Sequence, residues 1–555
     1  MKRTATFLLV VQVLFLAGCT SGKRPSVKGG AVVVAVDGAL RSLNPLFTQE
    51  IIEGEIAELL YPGLIGSAFD TSKGVLTYTP LLASSWEFQN QHRDLVFRLR
   101  TDARWSDGSA VTAKDVQVSY ELYGDSNVAS VRQVAVERLR RTGGALDISK
   151  AVEAVNDSTV VFHFEKQYAG QLFDAGLPIL PSYVFEKLPR KTLRTTPLEK
   201  LPLVSGPFRL ETWTPMQEII LVPNEGSRLP QVAALAKLVF RVLPDYSSRI
   251  AHLQSGEVDV VAGVRAEDAQ RIESQTPSVR IISVPGRDYD FIGWNNIDPQ
   301  AYVASQGRRM LPHRLFGSAG VRRALTTAIN REEIVAAYLG RHGQVAIGGV
   351  SPLFKWAYND TLRPLAFSRQ EARALLGREG WNDKDGDGVL EKGGQRFAFK
   401  LTIPSGNQLL NALALVIQSH LREVMIAVDI ELVEQGTLLQ QMMDRQFDAV
   451  LAGFSVPLQL QLDELWGSDL SKYPFNVTGF RNSRVDQILS LTRNLTDELG
   501  GSALWKEFQV ILHQQQPCTF LWWKNAVVGV SKRVQSTHIG VLGITHRAWE
   551  WNVAD

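Results

Sequence analysis

Few residues in this sequence have the spacing that enzymatic or metal chemistry needs. The nine histidines are scattered, and none forms His-Glu-x-x-His or lies beside a cysteine at zinc spacing. The sequence contains neither a phosphate-binding Gly-x-x-x-x-Gly-Lys-Ser/Thr loop nor a Gly-x-Ser-x-Gly nucleophile elbow. We therefore predict no catalytic residue, no enzyme activity and no cofactor.

One acidic segment resembles the first half of a calcium-binding loop. Its candidate ligands, at loop positions 1, 3 and 5, are Asp383, Asp385 and Asp387. Position 12, where a bidentate glutamate is expected, is Gly394, although Glu391 lies three residues earlier. We predict an acidic, glycine-rich turn before the strand at Phe397, with a metal site as the alternative.

The N-terminus predicts covalent chemistry of another kind, at Cys19. Lys2 and Arg3 precede a segment, Phe7 to Leu16, that is apolar except at Gln12. Such a segment has roughly half the length that a bilayer-spanning helix needs, which is typical of a signal peptide. Leu16-Ala-Gly-Cys19 matches the bacterial lipobox, in which the cysteine thiol receives the lipid. We predict a signal peptide over 1–18 and a lipidated tether over 19–28.

Charge and cysteine content exclude several further classes of function. Loss of Lys2 and Arg3 with the leader takes the formal net charge from +2 to zero. A neutral chain gives no electrostatic reason to bind nucleic acid or an anionic membrane surface. If Cys19 carries lipid, only Cys518 remains, so no internal disulfide forms. We expect an exported monomer that is held at the membrane by its lipid.

The elements that must position any site alternate between strands and helices. The predicted strands are Gly30 to Val36, Leu95 to Leu99, Val160 to Phe164, Leu238 to Val242 and Phe397 to Ile403. Thr112 and Asp115 form a capping-box pattern before a helix. Asn330, followed by Glu333, predicts the start of another helix. These patterns indicate a mixed α/β protein of several domains.

Several motifs, in one order along the chain, carry a resemblance to a known family. They are Pro80-Leu-Leu-Ala-Ser-Ser-Trp-Glu87, Phe97-Arg-Leu-Arg100, Trp105-Ser-Asp-Gly-Ser-Ala-Val-Thr-Ala-Lys-Asp-Val116, Val204-Ser-Gly-Pro-Phe-Arg-Leu210, Leu253-Gln-Ser-Gly-Glu-Val-Asp-Val260 and Val321-Arg-Arg-Ala-Leu-Thr-Thr-Ala-Ile-Asn-Arg331. Together they resemble the family 5 extracellular solute-binding proteins, which include dipeptide-, oligopeptide- and nickel-binding receptors of ABC importers. The resemblance extends over most of the mature chain.

The resemblance implies a class II periplasmic-binding-protein fold, with two lobes, a hinge and an extra inserted domain. Lobe I would comprise 29–60, 205–290 and 523–555, the inserted domain 61–204, and lobe II 291–522. The ligand would lie in the cleft between the lobes, which close around it by hinge motion. The implied partners are a peptide or another small molecule and the importer's permease in the cytoplasmic membrane.

The resemblance also implies which residues hold the ligand. The predicted binding residues are Leu40, Leu43, Trp294, Asn295, Asn296, Phe454, Ser455 and Trp466. Trp294 and Phe454 could instead be core residues, and the two asparagines could be turn or strand-end residues. Trp466 lies in a loop-like segment, Leu465-Trp-Gly-Ser-Asp469. Trp522-Trp523 is predicted to be core packing at the boundary between the lobes.

One departure from the family affects the expected ligand. Peptide-binding members have an aspartate soon after the equivalent of Gly453, where it pairs with the peptide's ammonium group. Here Pro457 stands at about that position, and Asp463 and Glu464 follow later. A buried ammonium without a countercharge is strongly disfavoured. The alternative ligands are therefore a blocked or modified peptide, an oligosaccharide, a metal chelate or another small molecule. Separate alternatives to import are a sensor or chaperone role for the same fold and hydrolysis in the cleft.

Overall fold

A computed structural model describes residues 30–38, 40–196 and 203–554 of the chain. The predicted signal peptide, the tether and Cys19 lie outside the described residues. Within the described ranges no helix is both long and apolar enough to span a bilayer.

Strands are distributed along the whole of the described chain. They are β1 (Ala31–Val36), β2 (Ile65–Asp70), β3 (Val75–Pro80), β4 (Ala83–Gln89), β5 (Asp94–Leu99), β6 (Val152–Asn156), β7 (Thr159–His163), β8 (Phe208–Thr214), β9 (Glu218–Pro223), β10 (Lys237–Val242), β11 (Val260–Ala262), β12 (Val279–Trp294), β13 (Gly343–Val345), β14 (Glu391–Lys392), β15 (Gln395–Arg396), β16 (Ala398–Pro404), β17 (Ala427–Val433), β18 (Ala449–Ser455), β19 (Cys518–Ser531), β20 (Val534–Gln535) and β21 (Asn552–Val553).

Helices alternate with these strands. They are α1 (Ile51–Leu60), α2 (Ala113–Gly124), α3 (Ile148–Ala151), α4 (Gln171–Asp174), α5 (Ser182–Phe185), α6 (Tyr246–Ser255), α7 (Ala266–Gln275), α8 (Pro299–Ala304), α9 (Ala319–Thr327), α10 (Arg331–Tyr338), α11 (Arg369–Arg378), α12 (Gln408–Arg422), α13 (Gln435–Asp444), α14 (Asp463–Trp466), α15 (Ser483–Arg493) and α16 (Ser502–Gln515).

Local sequence signals account for many of these boundaries. The predicted strands coincide with β1, β5, β7, β10 and β16 to within a residue or two at each end. Thr112 and Asp115 form the capping box of α2, as predicted, and the Asn330 side chain caps α10 by accepting a hydrogen bond from the Glu333 backbone. The turn at Asp107-Gly108 places Gly108 at φ +88°, where a residue without a Cβ has no steric penalty.

A single large sheet joins the two halves of the molecule. Among the described residues it has eleven strands in the order β17-β16-β18-β12-β19-β11-β1-β10-β9-β8, with β13 pairing to β19 outside that path. We call β1 and β8–β11 the first-lobe strands and β16–β18 the second-lobe strands. The long strands β12 and β19 are antiparallel to each other and cross from one set to the other. Residues 61–204, termed the inserted region, carry β2–β7 in separate sheets.

The hydrophobic cores show which parts are joined firmly. One cluster of buried side chains contains both Val34 of β1 and Phe97 of the inserted region. Two other clusters cover the second lobe, with Trp522 in one and Trp523 in the other, so both tryptophans are core residues, as predicted. The inserted region therefore shares a core with the first lobe, whereas the second lobe has its own. The exact domain boundaries remain predictions.

Candidate functional site at the cleft between the lobes

The sheet topology defines where a ligand can bind. The first-lobe strands β1, β10 and β11 are parallel, and so are the second-lobe strands β16, β17 and β18. Because β11 is antiparallel to β19 and β18 is antiparallel to β12, the carboxyl ends of the two sets point toward each other across the crossing strands. In open α/β sheets, ligands bind in the crevice outside the carboxyl ends of the strands. The cleft between the lobes has two such edges.

A cavity of about 240 Å³ lies at the second-lobe side of this cleft, where β18 ends beside the crossing strands. Its lining residues are Asp288, Tyr289, Asp290, Gly453, Phe454, Ser455 and Lys524. The strand register explains this grouping, since Asp288 of β12 lies opposite both Ser455 of β18 and Lys524 of β19. A cavity of this size holds one side chain or a small polar group.

Asp290 is the polar centre of the cavity. It is only 5% exposed, accepts a hydrogen bond of 2.6 Å from the Trp522 indole, and lies 2.9 Å from the Lys524 ammonium. A buried carboxylate needs such partners, because burial without them is costly. Gly453 is required beside it, since a Cβ there would lie 2.2 Å from the Asp290 carboxylate. Asp288, two residues earlier, is exposed to the cleft.

Aromatic rings lie on the other face of the same strands. Phe454 stacks on Phe291 with ring centroids 5.1 Å apart, and Tyr289 lies 4.9 Å from Trp523. Burial raises the pKa of the Tyr289 hydroxyl well above its ordinary value, so this ring is neutral. Arg287, next along β12, donates a hydrogen bond to the Val456 carbonyl, and burial lowers its pKa. The charged groups of the cavity lining therefore lie on one face of these strands, and the aromatic rings pack in the second-lobe core on the other.

Two of the predicted binding residues, Phe454 and Ser455, line this cavity. Leu40 and Leu43 lie in the loop that follows β1, at the first-lobe edge of the cleft. Both side chains are buried in the cluster shared by the first lobe and the inserted region. Ligand contact by any of these four residues remains a prediction.

The structure places the other four predicted residues in packing positions outside the lining of this cavity. Trp294 is fully buried in the second-lobe core, and its indole donates to Thr519. The Asn295 amide donates to the Arg445 and Phe447 carbonyls, and Asn296 to the carbonyls of Trp294 and Pro517. Trp466 is 3% exposed and packs against the backbone at Gly349. The contacts of Trp294 and the two asparagines correspond to the core and strand-end alternatives, whereas Trp466 ends a short helix and is buried.

Sequence reasoning missed Asp288, Tyr289, Asp290 and Lys524 as cavity residues. The signal was the Asp-Tyr-Asp alternation just before Phe291, which puts two carboxylates on one face of a strand and a ring on the other. Lys524 directly follows Trp522-Trp523, but its pairing with Asp290 spans 234 residues and is not visible in either segment alone.

Of the two acids after Pro457, Asp463 has a partner and Glu464 is exposed. Asp463 forms an ion pair with Arg493, which fixes its carboxylate within the second lobe. Glu464 has a raised pKa because of burial and the neighbouring Asp463 charge. The segment between Phe454 and Leu462 carries no acid at all. Asp463 is therefore not free to act as the countercharge of a cationic ligand group.

The acidic segment before β14 folds as a turn. Asp383 accepts hydrogen bonds from the backbone of Gly386 and Gly388, while Glu391 accepts one from Lys384. Carboxylate oxygens of Asp383, Asp385 and Glu391 lie within 4.8 Å of one another. Asp387 instead pairs with Arg396, at 2.7 Å. Backbone N–H groups supply much of the stabilisation of this turn.

The fold and the sequence together identify the family. Residues 77–459 match the bacterial extracellular solute-binding proteins, family 5, so the chain belongs to this family. It has the family's mixed α/β fold, and the family consists of transport receptors rather than enzymes.

Individual relatives match over nearly the full length of the chain. The oligopeptide-binding protein AppA of Bacillus subtilis is 27% identical over 548 residues, covering 95% of this chain and 94% of the relative. Its structure with a nonapeptide superposes with a TM-score of 0.73 at 25% identity, covering 95% of this chain and 99% of that one. NikZ from Campylobacter jejuni, solved with Ni(L-His), has the same fold, with a TM-score of 0.73 at 22% identity and coverage of 94% and 99%.

Proposed function

We propose that this chain is the extracytoplasmic substrate-binding component of an ABC importer and captures a peptide or a peptide-like molecule in the cleft between its lobes. The observation that carries this is the pair of opposed carboxyl edges, one from each lobe, with a cavity at the second-lobe edge beside the two crossing strands. The near full-length similarity to peptide-binding relatives supports the same ligand class. The protein would release its ligand unchanged to a permease in the cytoplasmic membrane.

The ends of the strands suit an extended ligand. Main-chain N–H and C=O groups at strand ends can bind a peptide backbone as if it were an added strand, whatever its side chains. Phe454 would provide a flat contact, and Ser455 a hydroxyl at the mouth of the cavity. Asp288 is the exposed carboxylate of the cavity lining and is our candidate countercharge for a ligand cation.

We further propose export with a lipid anchor. Cleavage before Cys19 would leave a diacylglycerol on its thiol, and residues 19–28 would tether the folded part to the membrane. One cysteine, Cys518, lies among the described residues and is buried, so it does not compete for lipid or partner thiols. The folded part would act as a monomer with no cofactor. Treatment of cells with a lipoprotein signal peptidase inhibitor tests this, because an unprocessed precursor should accumulate.

A non-peptide solute, such as a metal chelate, is the second candidate. The observation in its favour is the acid-free segment from Phe454 to Leu462, together with the Arg493 partner that engages Asp463. A ligand without a free ammonium group needs no countercharge there.

Native mass spectrometry of the protein purified from its own host would test the proposal. We expect a bound mass that leaves on denaturation, and a mixture of short peptides would confirm peptide capture. One defined species without peptide bonds would establish the second candidate instead. An empty protein with no thermal shift across peptides, sugars and metal chelates would contradict both, and would favour a sensing or chaperone role.

A further inference from the structure

The inserted region contacts the second lobe at several places on one side of the cleft. The Trp356 indole of the second lobe donates a 3.1 Å hydrogen bond to the Gly74 carbonyl in the turn between β2 and β3. Arg138 donates a 2.8 Å hydrogen bond to the side-chain oxygen of Gln461. Gly170 approaches the Gln459 side chain. These contacts join parts of the molecule that otherwise have separate cores.

The tip of the β2–β3 hairpin fits closely against the second lobe. Gly74 is buried at φ +77°, and a Cβ on it would lie 2.4 Å from the Leu353 carbonyl and 2.5 Å from the Lys355 nitrogen. Phe69, on the same hairpin, packs against the second-lobe core cluster that contains Trp466. Backbone therefore meets backbone here, and there is no room for even one additional carbon.

The second group of contacts uses the segment that follows β18. Gln459 faces the Tyr78 side chain, and its side-chain oxygen lies 2.3 Å from where a Gly170 Cβ would be. Gln461 takes the hydrogen bond from Arg138, whose guanidinium also lies 4.3 Å from the centre of the Tyr168 ring. This segment, which follows the strand end in the cleft, is therefore held by the inserted region.

The location of the cores indicates that these contacts depend on the relative position of the two lobes. The inserted region shares one core with the first lobe, so the two move together when the hinge at β12 and β19 bends. Contacts between the inserted region and the second lobe can then exist only while the lobes are closed. They combine side-chain hydrogen bonds with the packing of Phe69 and Gly74 against the second lobe.

We propose that the inserted region is a latch, which stabilises the closed receptor through the Gly74, Gln459 and Gln461 contacts and so sets how long a ligand stays bound. An interaction made only in the closed state shifts the population toward it, whether or not ligand is present. The ligand-residence part rests on the proposed function, whereas the effect on closure does not.

Two glycine substitutions separate the latch from ordinary backbone strain. Gly74→Ala places a methyl group against the Leu353 carbonyl in the closed state only. Gly108→Ala, in another turn of the inserted region, has a similar φ of +88° but nothing within 4 Å of the new carbon. Both variants carry the same left-handed backbone penalty, so only the difference between them reports the latch.

Closure would be measured by electron paramagnetic resonance distances in the full chain carrying Cys19→Ser. Spin labels would be placed at Glu87→Cys on β4 and Thr437→Cys on α13, both exposed, while buried Cys518 stays unlabelled. Without ligand, we expect Gly74→Ala to lower the ratio of closed to open molecules about tenfold and Gly108→Ala to leave it unchanged. With a captured ligand, the dissociation rate should rise by about the same factor.

A double-mutant cycle supplies independent evidence. Arg138→Met and Gln461→Leu should each lower the ratio of closed to open molecules several-fold, and the double variant should lower it no further than either single one. Equal closure in Gly74→Ala and Gly108→Ala, or additive effects in the cycle, would overturn the latch. Because closure is read without ligand, a failure to bind peptides would contradict the proposed function and leave this result intact.

Discussion

At the scale of single residues, Asp288 and Asp290 show how position determines what a carboxylate contributes. They lie two residues apart on β12 and line the same cavity, yet Asp290 is buried between Trp522 and Lys524 and Asp288 is exposed. Removal of a buried partner leaves the other charge uncompensated, whereas loss of an exposed charge changes little.

We therefore expect Asp290→Asn to lower the free energy of unfolding by about 1–2 kcal/mol, because Lys524 loses its countercharge. Asp288→Asn, the matched control, should change it by less than about 0.5 kcal/mol. Urea denaturation monitored by tryptophan fluorescence would measure both. Equal effects would show that the Lys524 ammonium is fully solvated in the folded protein.

The raised pKa of Glu498 predicts that its contribution to folding stability decreases as the pH rises. Desolvation in the contact between the inserted region and the second lobe, with help from the Asp497 charge, raises its pKa from 4.5 to about 7. The facing groups are Tyr78, which stays neutral, and Arg493, which is paired with Asp463. A carboxyl with a raised folded-state pKa binds its proton more tightly when folded. Its contribution to stability is therefore lost as the pH rises from about 4.5 through 7.

Glu498→Gln should accordingly stabilise the protein by about 1 kcal/mol at pH 8 and by much less at pH 5, since Gln carries no charge to desolvate. Glu87→Gln, on the exposed face of β4, serves as the control. Denaturation curves at the two pH values give the comparison. If Glu498→Gln stabilised the protein more at pH 5 than at pH 8, the pKa of Glu498 would not be raised in the folded protein.

At the scale of elements, local chemistry predicts elements well and long-range pairing poorly. The Thr112 capping box and the strand before Val36 were predictable because a few adjacent residues determine them. Trp294 was expected in the cleft, yet its ring faces the second-lobe core. Side chains alternate along a strand, so the sequence shows that Tyr289 and Asp290 point to opposite faces of the sheet. It does not show which of these faces lines the cavity. That depends on β18 and β19, which lie far along the chain.

The hinge strands leave no space for a side chain at one position, Gly286. The pairing of β12 with β19 shifts register between Val284 and Asp288, and Gly286 lies in that interval. A Cβ on Gly286 would be 1.8 Å from the Lys524 carbonyl, so any side chain must push the crossing strands apart.

We expect Gly286→Ala to cost about 2 kcal/mol of folding free energy and to widen the angle between the lobes. Gly500→Ala, in a second-lobe turn with no atom closer than 4.0 Å, should be nearly neutral. Denaturation gives the stability, and small-angle scattering gives the change in shape. An unchanged scattering profile would mean that the strands absorb the methyl group without moving.

At the scale of the whole molecule, one continuous sheet connects the two lobes through the long strands β12 and β19. The first lobe and the inserted region share a core, the second lobe has its own, and β12 and β19 run between them. We propose that ligand binding at the carboxyl edges and the latch contacts both favour the closed arrangement. The resemblance in sequence implied this architecture, but which residues meet across the cleft required the three-dimensional pairing.

The central claim is that a ligand binds where β18 meets the crossing strands, and Ser455→Trp tests it most directly. This side chain is exposed at the cavity mouth, so an indole there would occupy the site while the fold is retained. Isothermal titration with the ligand released from the native protein would compare it with Ser274→Trp, an exposed control on α7. We predict at least about a tenfold loss of affinity for Ser455→Trp alone. Unchanged affinity in both variants would place the binding site elsewhere and contradict the claim.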